Sequence, residues 1–189
     1  ELRGLRFLNT FSRWTNQVVV GFQSKGFDIE IGAIYKYLNL NNTIEQNNFH
    51  DVVAYSALKF KLQKIGQLSA KLQLGLGQNA GNINLDGRLD ISAVKGLNLQ
   101  AFLNILRYDP SVLSERVYVT NQLVYANDFN KINEFIIGGK LKVRKLNLSV
   151  EFTSGLIDQA TYWDENALPV QLDGSTEYIK LVAKHKLFW

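Results

Sequence analysis

The stretch TEYIKLVAKHKLFW, residues 176–189, is two sequences interleaved. Every second residue from Ile179 gives Ile179, Leu181, Ala183, His185, Leu187 and Trp189, whereas the residues between them are Tyr178, Lys180, Val182, Lys184, Lys186 and Phe188. One set is apolar apart from a single histidine, and the other carries three lysines. A period of two belongs to a β-strand, whose successive side chains point to opposite faces, so this stretch is expected to be a strand with one apolar and one wet face.

The same period runs through most of the chain. In residues 27–40, Phe27, Ile29, Ile31, Ala33, Tyr35 and Tyr37 alternate with Asp28, Glu30 and Lys36; in 68–77, Leu68, Ala70, Leu72, Leu74 and Leu76 alternate with Ser69, Lys71 and Gln73. Residues 52–63, 82–93, 134–144 and 146–157 repeat it. Adding 17–24, 97–107 and 116–126 gives ten predicted strands, with 2–13 an eleventh. Leu99, Phe102, Leu103 and Leu106 also fit a helical stripe, but the neighbouring strands favour a strand over 97–107. Short turn-like links, SKG at 24–26, KIGQ at 64–67, VKG at 94–96 and RK at 144–145, predict an antiparallel meander, because parallel strands need crossovers of a dozen residues or more. Longer loops are expected at 41–51, 109–115 and 158–175, and both prolines fall within such loops.

Composition limits the alternatives. A chain of 189 residues with 46% hydrophobic content is expected to form a single domain over 1–189 rather than a disordered segment. The net charge is +4, but the basic residues are spread singly and in pairs, which argues against a nucleic-acid arm. Cysteine is absent, so neither disulfides nor thiolate chemistry is available. Methionine is absent too, and the opening ELRGLRFLNTF lacks the features of a signal peptide, which reads as a mature chain or a fragment. No run approaches the roughly 18 apolar residues of a spanning helix.

Strand length decides the class. Strands of a soluble sandwich average about 5–6 residues, whereas these approach the length that crosses a bilayer at a tilt. The expected fold is therefore an all-β, antiparallel up-and-down transmembrane β-barrel of about 10–12 strands. Its apolar faces would meet a lipid bilayer, and aromatic residues near strand ends, Tyr35, Tyr37, Phe188 and Trp189, would form an interfacial girdle. The other faces would line a wet lumen with Lys36, Lys59, Lys61, Lys71, Arg88, Lys140, Lys142, Arg144, Lys180, Lys184 and Lys186, against Asp28, Glu30, Asp86, Asp90, Glu134, Glu151 and Glu177. Such a wall favours small hydrophilic solutes, anions above cations.

The terminal alternation of Leu181, Ala183, Leu187 and Trp189 resembles the assembly signal of bacterial outer-membrane β-barrels, with His185 departing from it. The long strands, the Asn- and Lys-rich loops and the segment LDGSTEYIKLVAKHKLFW are similar to the porin-like barrels of Bacteroidota. That resemblance implies a bacterial outer-membrane location and passive passage of solutes, or a structural place in an envelope complex. Because such porins are usually longer than 189 residues, it covers part of one. Two alternatives stand beside it: a soluble β-barrel holding an apolar ligand, and an outer-membrane barrel enzyme of the protease or acyltransferase type.

Counting turns exposes a conflict. Outer-membrane barrels alternate short turns at one end with long loops at the other. Counting from the first hairpin places VKG with the short turns, but counting back from the last strand places it with the long loops. One strand between residues 97 and 134 is therefore miscounted, or the chain does not end as a complete barrel.

Catalytic signals are sparse. His50 beside Asp51 reads as a solvated loop histidine rather than half of a catalytic pair, and His185 as a ring at the membrane interface or a partner contact. Asp28 with Glu30, and Asp86 with Asp90, read as partners for lumen lysines rather than acid and base. GLGQNAG at 75–81 lacks the lysine and helix of a phosphate cradle and reads as a turn. The sequon NNT at 41–43 says nothing without a compartment. No catalytic set, metal site or cofactor is expected. In the loop 158–175, DQATYWDENALPVQLDGS, the aromatic pair Tyr162 and Trp163 reads as a lid over the pore, as a docking surface for a partner protein, or equally as part of an ordinary solvated loop.

Overall fold

The computed structural model describes residues 10–41, 46–63, 65–119 and 122–186. Nine strands form one sheet: β1 (Thr10–Gln23), β2 (Phe27–Asn41), β3 (Gln46–Leu62), β4 (Gly66–Gly75), β5 (Ile83–Val94), β6 (Leu97–Tyr108), β9 (Ile132–Val143), β10 (Leu148–Asp158) and β13 (Ser175–His185). The sequence between β6 and β9 holds a one-turn helix α1 (Val112–Glu115) and the hairpin β7 (Arg116–Val119) and β8 (Gln122–Ala126). A second hairpin, β11 (Thr161–Trp163) and β12 (Pro169–Gln171), lies between β10 and β13, and a 3-10 turn, Arg144–Leu146, joins β9 to β10. Each strand of the sheet pairs antiparallel with the next, in the order β1-β2-β3-β4-β5-β6-β9-β10-β13, which leaves β1 and β13 as its two edges.

All-β, antiparallel and up-and-down is the architecture that the periodicity predicts, with one strand fewer and with the sheet open. Residues 116–126 are not a sheet strand but the separate hairpin β7–β8, so β6 pairs directly with β9, from Leu97↔Val143 to Tyr108↔Ile132. This removes the counting conflict. The links at 24–26, 63–65, 95–96 and 144–147 now all lie at one end, and the longer connections, among them 76–82, 109–131 and 159–174, at the other. Two further boundaries move. Residues 17–23 of one predicted strand and Thr10–Arg13 of the predicted eleventh belong to the single β1, and most of the expected loop 41–51 is ladder, since Gln46 to Asp51 continue β3 opposite Lys36 to Asn41. Residues 97–107 are a strand, as the flanking strands favour.

The short turns need special backbone conformations. Gly96 has φ +85, beyond the comfortable range of a side-chain-bearing residue, and Asn147 closes the 3-10 turn at φ 48, a conformation that asparagine tolerates.

No apolar core lies on either side of this sheet. Among the described residues only Ile34, Val53 and Ile132 are buried hydrophobics. The chain's accessible surface is 13882 Å², against about 9,200 Å² for a compact monomer of this mass. A one-layered sheet accounts for the difference: its strands touch their neighbours edge to edge, and no second layer covers either face.

Candidate functional site

Directly opposed residues of an antiparallel pair point to the same face, so the register sorts the sheet without further assumption. One row runs Val20, Ile31, Ser56, Leu72, Leu85, Ile105, Phe135, Leu156. The adjacent row on the opposite face runs Glu30, Ala57, Lys71, Asp86, Asn104, Ile136, Gly155, Tyr178. The first row ends in β13 on Glu177; that face is mainly apolar and the second mainly polar.

Burial is inverted relative to a soluble protein. Among the described residues, every buried residue of the nine-stranded sheet, Ile34, Asp51, Val53, Gly75, Ile132, Gly138 and Gly155, lies on the polar face. The apolar face is open: Val20 is 74% exposed, Ile179 75%, Leu181 70% and Ile137 49%. Crowding on one side of a one-layered sheet is what curvature toward that side produces. Glycines of the polar face make room for it. A Cβ on Gly155 would lie 2.2 Å from the Tyr178 ring, and one on Gly138 would lie 2.3 Å from the Phe102 ring, so each ring occupies the space beside the glycine opposite it. Tyr55 is opposite Gly32 in register, but a Cβ on Gly32 would first meet the Val18 carbonyl oxygen, at 2.2 Å, and not the Tyr55 ring.

Across β1 to β3 the apolar face is bounded by aromatic side chains at both ends. Toward the long loops stand Trp14, Tyr35, Tyr37 and His50, with Tyr35 Oη 2.7 Å from His50 Nδ1 and the Tyr37 and His50 rings 5.0 Å apart. Toward the short turns stand Phe22, Phe27 and Phe60, with Phe22 and Phe27 5.8 Å apart. Trp14 to Phe22, and Tyr35 to Phe27, are eight residues apart, about 26 Å along a strand. At a tilt of about 40° this projects to about 20 Å, close to the apolar band of about 25 Å on outer-membrane barrels. Tyr35 and Tyr37 thus stand toward the long-loop end of β2, at one limit of the apolar face; Phe188 and Trp189 lie outside the described residues.

Of the basic residues predicted to share a face, Lys36, Lys59, Lys61, Lys71, Arg88, Lys140, Lys142, Lys180 and Lys184 do so, on the polar face. Arg144 instead lies in the 3-10 turn and Lys186 just beyond β13. Glu177 lies opposite Leu156, on the apolar face near the long loops, not with the lysines. Asp51, which periodicity did not single out, lies buried on the polar face 4.0 Å from Lys36. Polar contacts on this face link adjacent strands: Lys140 Nζ to Glu151 Oε2 at 3.1 Å, Gln100 Nε2 to Asp90 Oδ1 at 2.7 Å, and Tyr55 Oη to Glu30 Oε2 at 2.9 Å. Lys71 sits 5.6 Å above the Tyr55 ring. Asp28 and Asp86 are opposite Lys59 and Lys71 in register, but neither forms an ion pair among the described residues.

His50 is on a strand, not in a loop. It and Asp51 are consecutive in β3 and so point to opposite faces, one toward Tyr35 and the other toward Lys36. They cannot share a proton or a substrate. Residues 75–81 form a turn closed by the Gly81 N–H to Gly75 carbonyl bond, with the Gly75 N–H donating to the Asn82 carbonyl beside it. Among the described residues no group of three His, Cys, Asp or Glu side chains could hold a metal ion.

Tyr162 and Trp163 are both exposed, on β11, within an ordered loop assembly. Tyr125 of β8 meets Trp163 edge to face at 6.2 Å, and burial pushes its phenol pKa up. Gln171 Nε2 donates to the carbonyls of Asn130 and Gln159, and the Asn130 N–H donates to Gln171 Oε1. Lys131 joins a third loop by donating to Asp109 and to Asn82 Oδ1. The two hairpins therefore stand together at the long-loop end, fixed by side-chain amides.

Comparison with known proteins adds one finding. A family model described as "Putative porin" matches residues 3–189, and the chain belongs to that family. No curated protein and no solved structure matches significantly.

Proposed function

From that family membership and the inverted sheet, we propose that the chain forms wall of an outer-membrane barrel that passes small hydrophilic solutes. One observation carries this reading: the apolar face is the exposed one and the polar face the crowded one. Each Leu, Ile or Phe of the open face left in water forgoes about 1.5–3 kcal/mol, a cost that a bilayer removes along the whole sheet. A soluble ligand-binding barrel would have to curve the other way, enclosing its apolar face. Detergent dependence, with a gel shift between unheated and boiled samples, is the expected behaviour; a monomer soluble without detergent contradicts it.

Closure follows from parity. β1 and β13 are first and ninth in a sheet paired antiparallel throughout, so they run in the same direction. Direct closure would make the one parallel seam, and single-chain bacterial barrels have an even strand number. A second copy inserted with its short turns on the same side would also present β1 parallel to β13. Unpaired strand edges cost several kcal/mol per backbone group in lipid. In this reading an odd number of further strands stands between the two edges. The chain has no cysteine, so cysteines placed at Asn16, Val18 or Val20 against one at Leu181 give a clean test. No intramolecular disulfide is expected, and efficient cross-linking contradicts the parity argument.

On the polar face the basic residues, now including Arg13, outnumber Asp28, Glu30, Asp51, Asp86, Asp90, Glu134 and Glu151. As a lumen wall it favours anions, the more so at low salt. Reversal potentials in a salt gradient across a planar bilayer should show anion preference; a cation-selective current contradicts the assignment. Hairpin β11–β12, with Tyr162 and Trp163, serves in this reading as an external lid or as the docking surface for a partner protein. Deleting residues 160–171 should leave the sheet folded while changing conductance or partner recovery, and no change in either removes the role.

A further inference from the structure

The two ends of the sheet carry opposite charge. At the long-loop end the acidic residues Asp109, Asp128, Asp158, Asp164, Glu165 and Asp173 predominate, and Lys131 is occupied by Asp109. At the short-turn end Lys25, Lys95, Arg144 and Lys145 stand in the turns, and Lys186 follows β13, its N–H 3.3 Å from the Asn147 carbonyl. No acidic residue stands in those described turns, and all five cations are exposed and without an ion-pair partner among the described residues. Apolar side chains sit among them. Ile65 and Leu146, in the turns themselves, are 51% and 58% exposed, and Phe22 and Phe60 end the apolar face directly below.

Exposed apolar residues interleaved with unpaired cations, just past the edge of an apolar band, match a membrane interface, where the apolar part enters the acyl boundary and the ammonium or guanidinium reaches phosphate. The neutral or acidic opposite rim offers no such match. We propose that the short-turn rim binds the phosphodiester headgroups of anionic phospholipids and so fixes which leaflet this end occupies. This inference rests on the membrane reading above.

The test uses the whole chain reconstituted with spin-labelled phosphatidylglycerol or spin-labelled phosphatidylcholine as the probe. Motionally restricted boundary lipid should appear with both labels and favour phosphatidylglycerol by about fivefold, the ratio of roughly 1 kcal/mol of headgroup attraction. The combined variant K25Q/K95Q/R144Q/K145Q should lose the preference. The charge-keeping variant K25R/K95R/R144K/K145R should retain it, which separates charge from damage to the turns, and K71Q on the polar face should also retain it. Inorganic phosphate at constant ionic strength should leave it unchanged; abolition by phosphate overturns the lipid assignment in favour of a free-anion site. Boundary lipid without preference in the unaltered chain overturns this inference alone, and no boundary lipid with either label overturns the membrane reading with it.

Discussion

Replacing Leu72 or Ile137 with arginine should cost about 2–4 kcal/mol of folding stability in lipid. Both sit near the middle of their strands on the apolar face, Leu72 between Ser56 and Leu85 and Ile137 between Leu103 and Ser154. A guanidinium there must thin the bilayer or snorkel past several residues to reach water. Arginine at Gln73, the next residue along β4 and on the polar face opposite Tyr55 and Asn84, should change stability by less than about 1 kcal/mol, the usual range for wet positions. Urea titration of the refolded protein in vesicles measures both. Equal losses at Leu72 and Gln73 contradict the assignment of the two faces.

The second large effect is expected where rings lie on glycines. Gly155→Ala would drive a methyl group into the Tyr178 ring, and Gly138→Ala into the Phe102 ring, each costing about 1–3 kcal/mol by overpacking. The two should differ in rescue. All the nearest atoms at Gly155 belong to the Tyr178 side chain, so Gly155→Ala with Tyr178→Ser should recover most of the loss. At Gly138 the Phe152 carbonyl oxygen also lies 2.6 Å from the new Cβ, so shortening Phe102 should recover only part. Complete rescue at both sites would mean that the backbone at Gly138 is free to move, and rescue at neither would remove the ring-on-glycine account of the crowded face.

The alternation of single residues made most of this fold legible. Runs such as Leu68 to Leu76 need no tertiary information, because a period of two is set by the strand itself. The miscounted strand has an equally local cause. Residues 116–126 alternate well enough to pass for one strand, and only the polar break VTNQ at 119–122 marks the point where β7 turns back into β8. Two short strands and one long one give the same hydrophobic pattern, and the shared end of the short turns was the constraint able to tell them apart. Periodicity grouped the basic residues within the strands on one face, because a face is a property of one strand, but it carried Arg144 and Lys186 past the strand ends, where the alternation no longer applies. It missed the rings over glycines, because the pairs 102/138 and 178/155 exist only through register between strands. His50 was misread because an asparagine-rich stretch resembles a loop, whereas here it pairs with β2 beyond the apolar band.

The most direct measurement of the central claim is a single-cysteine scan along β9 in lipid vesicles, reading reaction with a water-soluble thiol reagent at each position. Reactivity should alternate: cysteines at Glu134, Ile136, Lys140 and Lys142 should react, and those at Phe135, Ile137 and Leu141 should be protected. Ile136 is the decisive position, being an apolar residue that the register places on the polar face opposite Asn104 and Gly155. Reaction at 136 with protection at 135 and 137 is the result predicted for a sheet that turns its apolar face to lipid; protection at 136, or reactivity without alternation, would contradict it.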